Sequence, residues 1–246
     1  MTSLRLTGVL TATLTLGLST VALAVTTSGT AGNDALFGTA QVDQLSGLGG
    51  NDFVIGLGGD DRLLGGDGDD AITGDGVCLL GPATPYYCIP GLDGDDTIDG
   101  GAGNDIIDGN GGTDRVDGGT GKDRILGSAG NDDLRGDAGV DDIRGGTGND
   151  KASGGTGNDK LRGESGSDRL SGGAGRDKLT GGAGNDRLSG GAGVDRLSGG
   201  SDNDTISSRD GSADRVACGS GRRDRVTADR RDRVSRDCER VIRSRR

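Results

Sequence analysis

Aliphatic residues recur along this chain at a fixed nine-residue interval, each flanked by polar neighbours and separated from the next by a glycine-rich turn. Leu36, Val54, Ile72, Ile98, Val116, Leu134, Leu170 and Ile206 are examples, and Ala152 is the one small residue in the series. The full phrase is Gly-Gly-x-Gly-x-Asp-x-(Leu/Ile/Val)-x. It is clean at Gly181-Gly182-Ala183-Gly184-Asn185-Asp186-Arg187-Leu188-Ser189. One inward apolar residue between two outward ones predicts a very short strand. The preceding hexapeptide predicts a tight turn, because glycine tolerates positive φ. Two nonapeptides then make one coil with two thin parallel sheets facing each other, and the aliphatic residues fill the space between them. The predicted fold class is all-β, a right-handed parallel β-roll.

The same interval governs the carboxylates. Asp recurs at Asp34, Asp43, Asp52, Asp61 and Asp70, resumes at Asp96, and continues through Asp105, Asp114, Asp123, Asp132, Asp141, Asp150, Asp159, Asp168, Asp177, Asp186, Asp195 and Asp204. A glycine stands five residues before each of them, and the glycine two residues before fails only at Gln41 and Asp202. Stacked strands lie about 4.8 Å apart, so the carboxylates along one edge repel one another. One aliphatic side chain per repeat is too little to offset the ordering of nine glycine-rich residues. A hard divalent cation between successive turns answers both problems. Carboxylate and carbonyl oxygens are the ligands calcium prefers, whereas magnesium demands stricter octahedral geometry.

These residues carry a resemblance. The phrase resembles the RTX, or haemolysin-type, calcium-binding nonapeptide repeat, and the resemblance covers roughly residues 29–207. It implies a β-roll in which the sixth-position Asp and the turn carbonyls hold Ca2+. Carried over, the metal ligands are Asp34, Asp52, Asp61, Asp70, Asp96, Asp105, Asp114, Asp123, Asp132, Asp141, Asp150, Asp159, Asp168, Asp177, Asp186, Asp195 and Asp204. Asp43 is left out, because Gln41 and Val42 break the turn before it. Ions bridging neighbours on the same edge would number on the order of 14–16 at most.

Five segments follow from the pattern: an N-terminal leader over 1–24, repeats over 25–73, an insertion over 74–90, the main repeats over 91–207, and an Arg-rich cap over 208–246. Arg5, a weakly apolar stretch and Ala22-Leu23-Ala24 fit an export signal with a small-residue cleavage site. The expected location is therefore extracellular, with no membrane anchor after cleavage. Cys78 and Cys88 bracket the insertion, and Cys218 and Cys238 bracket the cap. Local pairing is the simplest of the three connectivities, and disulfides suit an oxidising compartment.

Composition narrows the function. There are 54 glycines in 246 residues, 2% aromatic residues and no Trp, which excludes an ordinary compact core. Net charge is −11, yet residues 208–246 carry thirteen Arg against seven acids, so the remainder is −17. Repeated Asp-Arg-Val tripeptides in that tail, as at Asp214-Arg215-Val216 and Asp224-Arg225-Val226, read as a modified end of the solenoid rather than a polyanion-binding arm. The absence of His excludes Ser-His-Asp, Cys-His and His-based zinc arrangements. An enzyme is not expected. The function expected is a secreted calcium-binding protein, with no nucleic-acid partner. The alternative is a calcium-dependent surface recognition or adhesion protein directed at polysaccharide or ice.

Overall fold

In the computed structural model, which describes residues 23–75 and 93–243, the chain winds into a parallel β-solenoid of about eleven turns. Two sheets face each other. A 13-stranded front sheet begins with strand Thr26–Ser28, and an 11-stranded back sheet begins with strand Ala35–Phe37. Apart from Asp133–Arg135 and Ala138–Gly139, which both lie in the front sheet, successive strands alternate between the sheets, so each coil consumes two nonapeptides. No helix occurs among the described residues.

Through the repeats register is held at 18 residues per coil, and in the cap Arg196 pairs with Arg215, Thr205 with Arg225 and Arg225 with Arg240, at spacings of 19, 20 and 15. Lys151 pairs with Arg169 and Arg169 with Arg187 in the front sheet, while Lys160 pairs with Lys178 and Lys178 with Arg196 in the back sheet. The core is a single file of the periodic aliphatic residues. Val54, Leu63, Ile107, Val116, Ile125, Leu134, Ile143 and Leu161 are all completely enclosed. A one-residue slip would turn each of them to solvent, so the hydrophobic period and the pairing register enforce each other.

The insertion leaves this register intact. Arg62 pairs with Thr97, and Ile72 with Ile107, at separations of 35 rather than 18, so 17 extra residues are accommodated without displacing a coil. The expected insertion of 74–90 starts two residues too early. Gly74 and Asp75 close strand Ala71–Asp75, and Gly74 lies against the Asp96 carboxylate as other turn glycines lie against theirs. The extra residues therefore enter inside a turn, between its second position and the Gly94-Asp95-Asp96 that completes it. Cys78, Cys88 and nearly all of the leader lie outside the described residues. In the cap, Cys218 and Cys238 form a disulfide with a Cα separation of 5.2 Å.

Candidate metal-binding site

Each glycine-rich turn aims its Asp side chain inward, between coils. Two glycines of the turn around Asp150 show why. Gly148 has φ +131°, and a Cβ there would collide with the carbonyl oxygen of Gly130 in the previous coil. At Gly145, a Cβ would occupy the space into which Asp150 Oδ2 projects, with the carbonyl oxygen of Gly163 in the next coil 2.9 Å from the same point. A carboxylate oxygen and a carbonyl oxygen from adjacent coils thus converge where the missing side chain leaves room.

The carboxylates are joined in two ladders, one along each edge. In every rung but the last of one ladder, where Glu239 Oε2 accepts, the backbone N–H of one Asp donates to Oδ1 of the Asp one coil further on. Asp132 donates to Asp150 at 3.0 Å, and Asp150 to Asp168 at 2.8 Å. The ladder that includes Asp123 and Asp141 runs from Asp34 to Asp232. The ladder that includes Asp150 runs from Asp43 to Glu239. Both cross the insertion, by Asp61 to Asp96 and Asp70 to Asp105. Each rung fixes the carboxylate plane, so the second oxygen always faces the same side.

That second oxygen has nothing to bind. Among the described residues, Oδ2 of Asp52 and of every later repeat Asp through Asp204 is buried and has no hydrogen-bond partner. Such atoms are expensive to leave unpaired, and a ladder of them is a cation site in waiting. Burial, followed by the charge of neighbouring carboxylates, pushes these groups upward. Asp96 is raised to about 9, with Asp75, Asp114 and Asp61 as the nearest repelling charges. Asp114 rises to about 8, and Asp105, Asp141 and Asp186 to about 7, all from burial first. Among the described residues no three His, Cys, Asp or Glu side chains converge. Each site therefore offers few carboxylates and draws on the carbonyls that stack beside them. A mixed set of carboxylate and carbonyl oxygens fits calcium.

The ends of the ladders differ. Asp34 is brought into line with the other predicted ligands, but its Oδ2 accepts from the Thr30 hydroxyl at 2.8 Å. At the other end, Asp232 Oδ2 accepts from the Ser208 hydroxyl at 2.9 Å and from the Asp229 N–H at 2.6 Å. Of the two broken turns, the one at Asp202 keeps its left-handed backbone, with φ +73°, and Asp204 keeps its orphaned oxygen. At the other, Asp43 Oδ2 is taken by the Thr39 N–H.

Of the residues absent from the predicted ligands that join the ladders, two have the same orphaned oxygen. Asp214 and Asp224 are fully buried, accept from Asp195 and Asp204 at 2.8 and 2.7 Å, and have orphaned Oδ2 atoms. Their signal was the Asp-Arg-Val tripeptide of the tail. It was hidden because these turns are one residue longer, so that Ser208 and Cys218, six rather than five residues before their Asp, stand opposite Gly190 and Gly199.

Comparison with known proteins agrees with this geometry. The RTX calcium-binding nonapeptide repeat model, which spans four copies, matches residues 28–63, 46–76, 90–125, 117–152, 144–179, 153–188 and 171–206. No curated protein matches the chain. Among solved structures, it is similar to the crystal structure of a hyperactive, Ca2+-dependent, β-helical antifreeze protein from an Antarctic bacterium. That match has 20% identity over 86% of this chain and 79% of the other, with a TM-score of 0.39. With most of its length matched by the repeat model and its turns built to the same phrase, the chain belongs to the RTX calcium-binding nonapeptide repeat family.

Proposed function

We propose that this chain is a secreted calcium-binding protein whose two Asp ladders take up Ca2+ between successive coils and whose solenoid becomes stable outside the cell as they do so. The observation that carries this reading is the unbroken series of buried, partnerless Oδ2 atoms from Asp52 to Asp204, continued by Asp214 and Asp224. Bound calcium supplies the positive charge that these oxygens lack. The chain's own residues do the rest. The Asp N–H groups hold Oδ1, the turn glycines clear the space, and carbonyls such as that of Gly163 stand beside it.

Export follows from the leader-like 1–24 segment and from the Cys218–Cys238 disulfide, which suits an oxidising compartment. Extracellular calcium-binding modules work at dissociation constants of about 10⁻⁴–10⁻³ M. Where no site exists in the unfolded chain, binding free energy is folding free energy. The chain can then cross the membrane loose and harden outside. It acts as a binding module rather than as an enzyme, since the carboxylates of its repeats are committed to the ladders.

Circular dichroism in chelator and in millimolar calcium, paired with calorimetric calcium titration, tests the reading. Coil in chelator and β structure with calcium is the expected pair. A spectrum that does not change with calcium would overturn it.

A further inference from the structure

The outward strand positions divide the roll into two electrostatic regions. Among the described residues, every ion pair lies between Arg115 and Arg162. Asp117 is shared by Arg115 and Arg135, and Asp142 by Arg144, Lys160 and Arg162. Beyond that region the cations continue and the strand-face acids stop. In the back sheet, Lys178, Arg196, Arg215 and Arg233 stand directly in register on consecutive strands, and all four are exposed.

Four like charges stacked about 4.8 Å apart repel one another unless an external anion lies along them. Outside the ladders, the acids of this half sit at turns rather than in the cation column, Glu164 and Asp202 at left-handed positions. Asp210 accepts from the Gly193 N–H, Asp229 from Gly211 and Asp237 from Gly219. Beside the cations runs a column of Thr180, Ser198, Ala217 and Ser235, small and mostly hydroxyl-bearing, which leaves the cations open to a long ligand.

We propose that this cation column of the back sheet binds an acidic polysaccharide laid along the solenoid axis, with about one anionic group per coil. Guanidinium groups pair well with carboxylate or sulfate, and the hydroxyl column can hydrogen-bond sugar hydroxyls. A single-stranded nucleic acid fits less well, because such sites use aromatic side chains for base stacking and this face has none. The surface needs the folded roll, and so rests on the calcium-dependent fold proposed above.

The test uses the full chain in millimolar calcium, with β structure checked by circular dichroism before each measurement. Loss of the β signal would count against the calcium reading, and a folded roll that ignores the ligand would count against this one. Polygalacturonate and dextran sulfate serve as the acidic probes, with neutral dextran and a single-stranded oligonucleotide beside them. Salt-sensitive binding to either acidic polysaccharide, and to neither of the others, is expected. Thr205 occupies the corresponding position in the front sheet, so threonine is compatible with the fold there. Combining Lys178→Thr, Arg196→Thr and Arg215→Thr should weaken binding about tenfold with the β signal kept. Arg169→Thr with Arg187→Thr on the opposite face should leave it unchanged. Binding to neither acidic polysaccharide, equal binding of the oligonucleotide, or equal loss from the two faces would each overturn the proposal.

Discussion

The hydroxyl of Thr30 donates to Oδ2 of Asp34 at 2.8 Å, while Oδ2 of Asp52, its neighbour one coil on, is buried and has no donor. Ser208 repeats the arrangement at the far end, donating to Asp232. A neutral donor thus closes one ladder at both ends, and the carboxylates between depend on something else. If that is calcium, replacing Asp34 by Asn should barely alter the calcium response. Asp150→Asn keeps the Oδ1 acceptor and removes the charge, at a cost of about 1.4 kcal/mol, or tenfold in the affinity of that one site, and should move the calcium midpoint of folding upward. Calcium titrations followed by circular dichroism compare the two. Equal shifts would show that Asp34 is a ligand like the rest.

The turn glycine tests the same site from the backbone side. A methyl group at Gly145 would take the space used by Asp150 Oδ2 and crowd the Gly163 carbonyl. Gly145→Ala should cost about 1–3 kcal/mol through overpacking and raise the calcium requirement. Ser153→Ala, on the outward face, should stay within about 0.5 kcal/mol. Thermal melts in calcium measure both.

Acid should partly replace calcium. Burial raises the folded-state pKa of Asp96 to about 9 and of Asp114 to about 8, against an ordinary value of 3.8. A folded state that binds protons more tightly than the unfolded one loses stability as pH rises. The stabilisation is complete below about pH 4 and is lost as pH climbs through the raised values. In chelator, β structure should therefore grow as pH falls from 8 towards 5, and calcium uptake near neutral pH should release protons. Titration calorimetry in buffers of different ionisation enthalpy detects that release. A metal-free chain whose fold does not respond to pH would contradict it.

Much of this was legible because period and geometry coincide. Nine residues make half a coil, so an aliphatic at every ninth position fixes both the core and the 18-residue register that pairs Leu170 with Leu188. What escaped the pattern depends on distances that a spacing does not contain. Asp34 fits the motif as well as Asp52 does, and what separates them is Thr30, whose hydroxyl and N–H both donate to Asp34 Oδ2. Gly91 stands five residues before Asp96 in the sequence, yet Gly74 does its work, because the insertion opens a turn from within. Asp214 and Asp224 follow turns of altered length and composition but kept their place in the ladders.

The cap disulfide should act on the last coils alone. Cys218 and Cys238 close a loop with a sequence separation of 20, and a loop of that size is worth about 3 kcal/mol. In a solenoid each coil contacts only its neighbours, so the effect should fade along the axis. Replacing both cysteines by Ser should speed amide exchange in strands Arg215–Gly219 and Arg225–Ala228. Strand Arg124–Ala129 should be unaffected. Uniform loss of protection would mean that the roll unfolds as one unit.

Removing the insertion is the most direct test of how the turn is spliced. Arg62 meets Thr97 in the register that 18 residues give elsewhere, although 35 separate them. Deleting residues 76–92 joins Asp75 to Asp93 and restores the regular turn of Gly74, Asp75, Asp93, Gly94, Asp95 and Asp96. Closing a shorter loop costs less entropy, so the shortened chain should fold with calcium and melt no lower than the parent. Deleting 74–90 instead leaves Gly91 to stand in for Gly74 and keeps the same spacing, but replaces Asp75, whose carboxylate accepts from the Gly94 N–H at 2.8 Å, by Leu92. It also removes one buried acid, raised to about 7 by burial, so at limiting calcium the two deletions should differ most at about pH 8, where the one that keeps Asp75 is the less stable. Identical melts at limiting calcium across pH 5 to 8 would show that Asp75 contributes nothing to the charge balance of its turn.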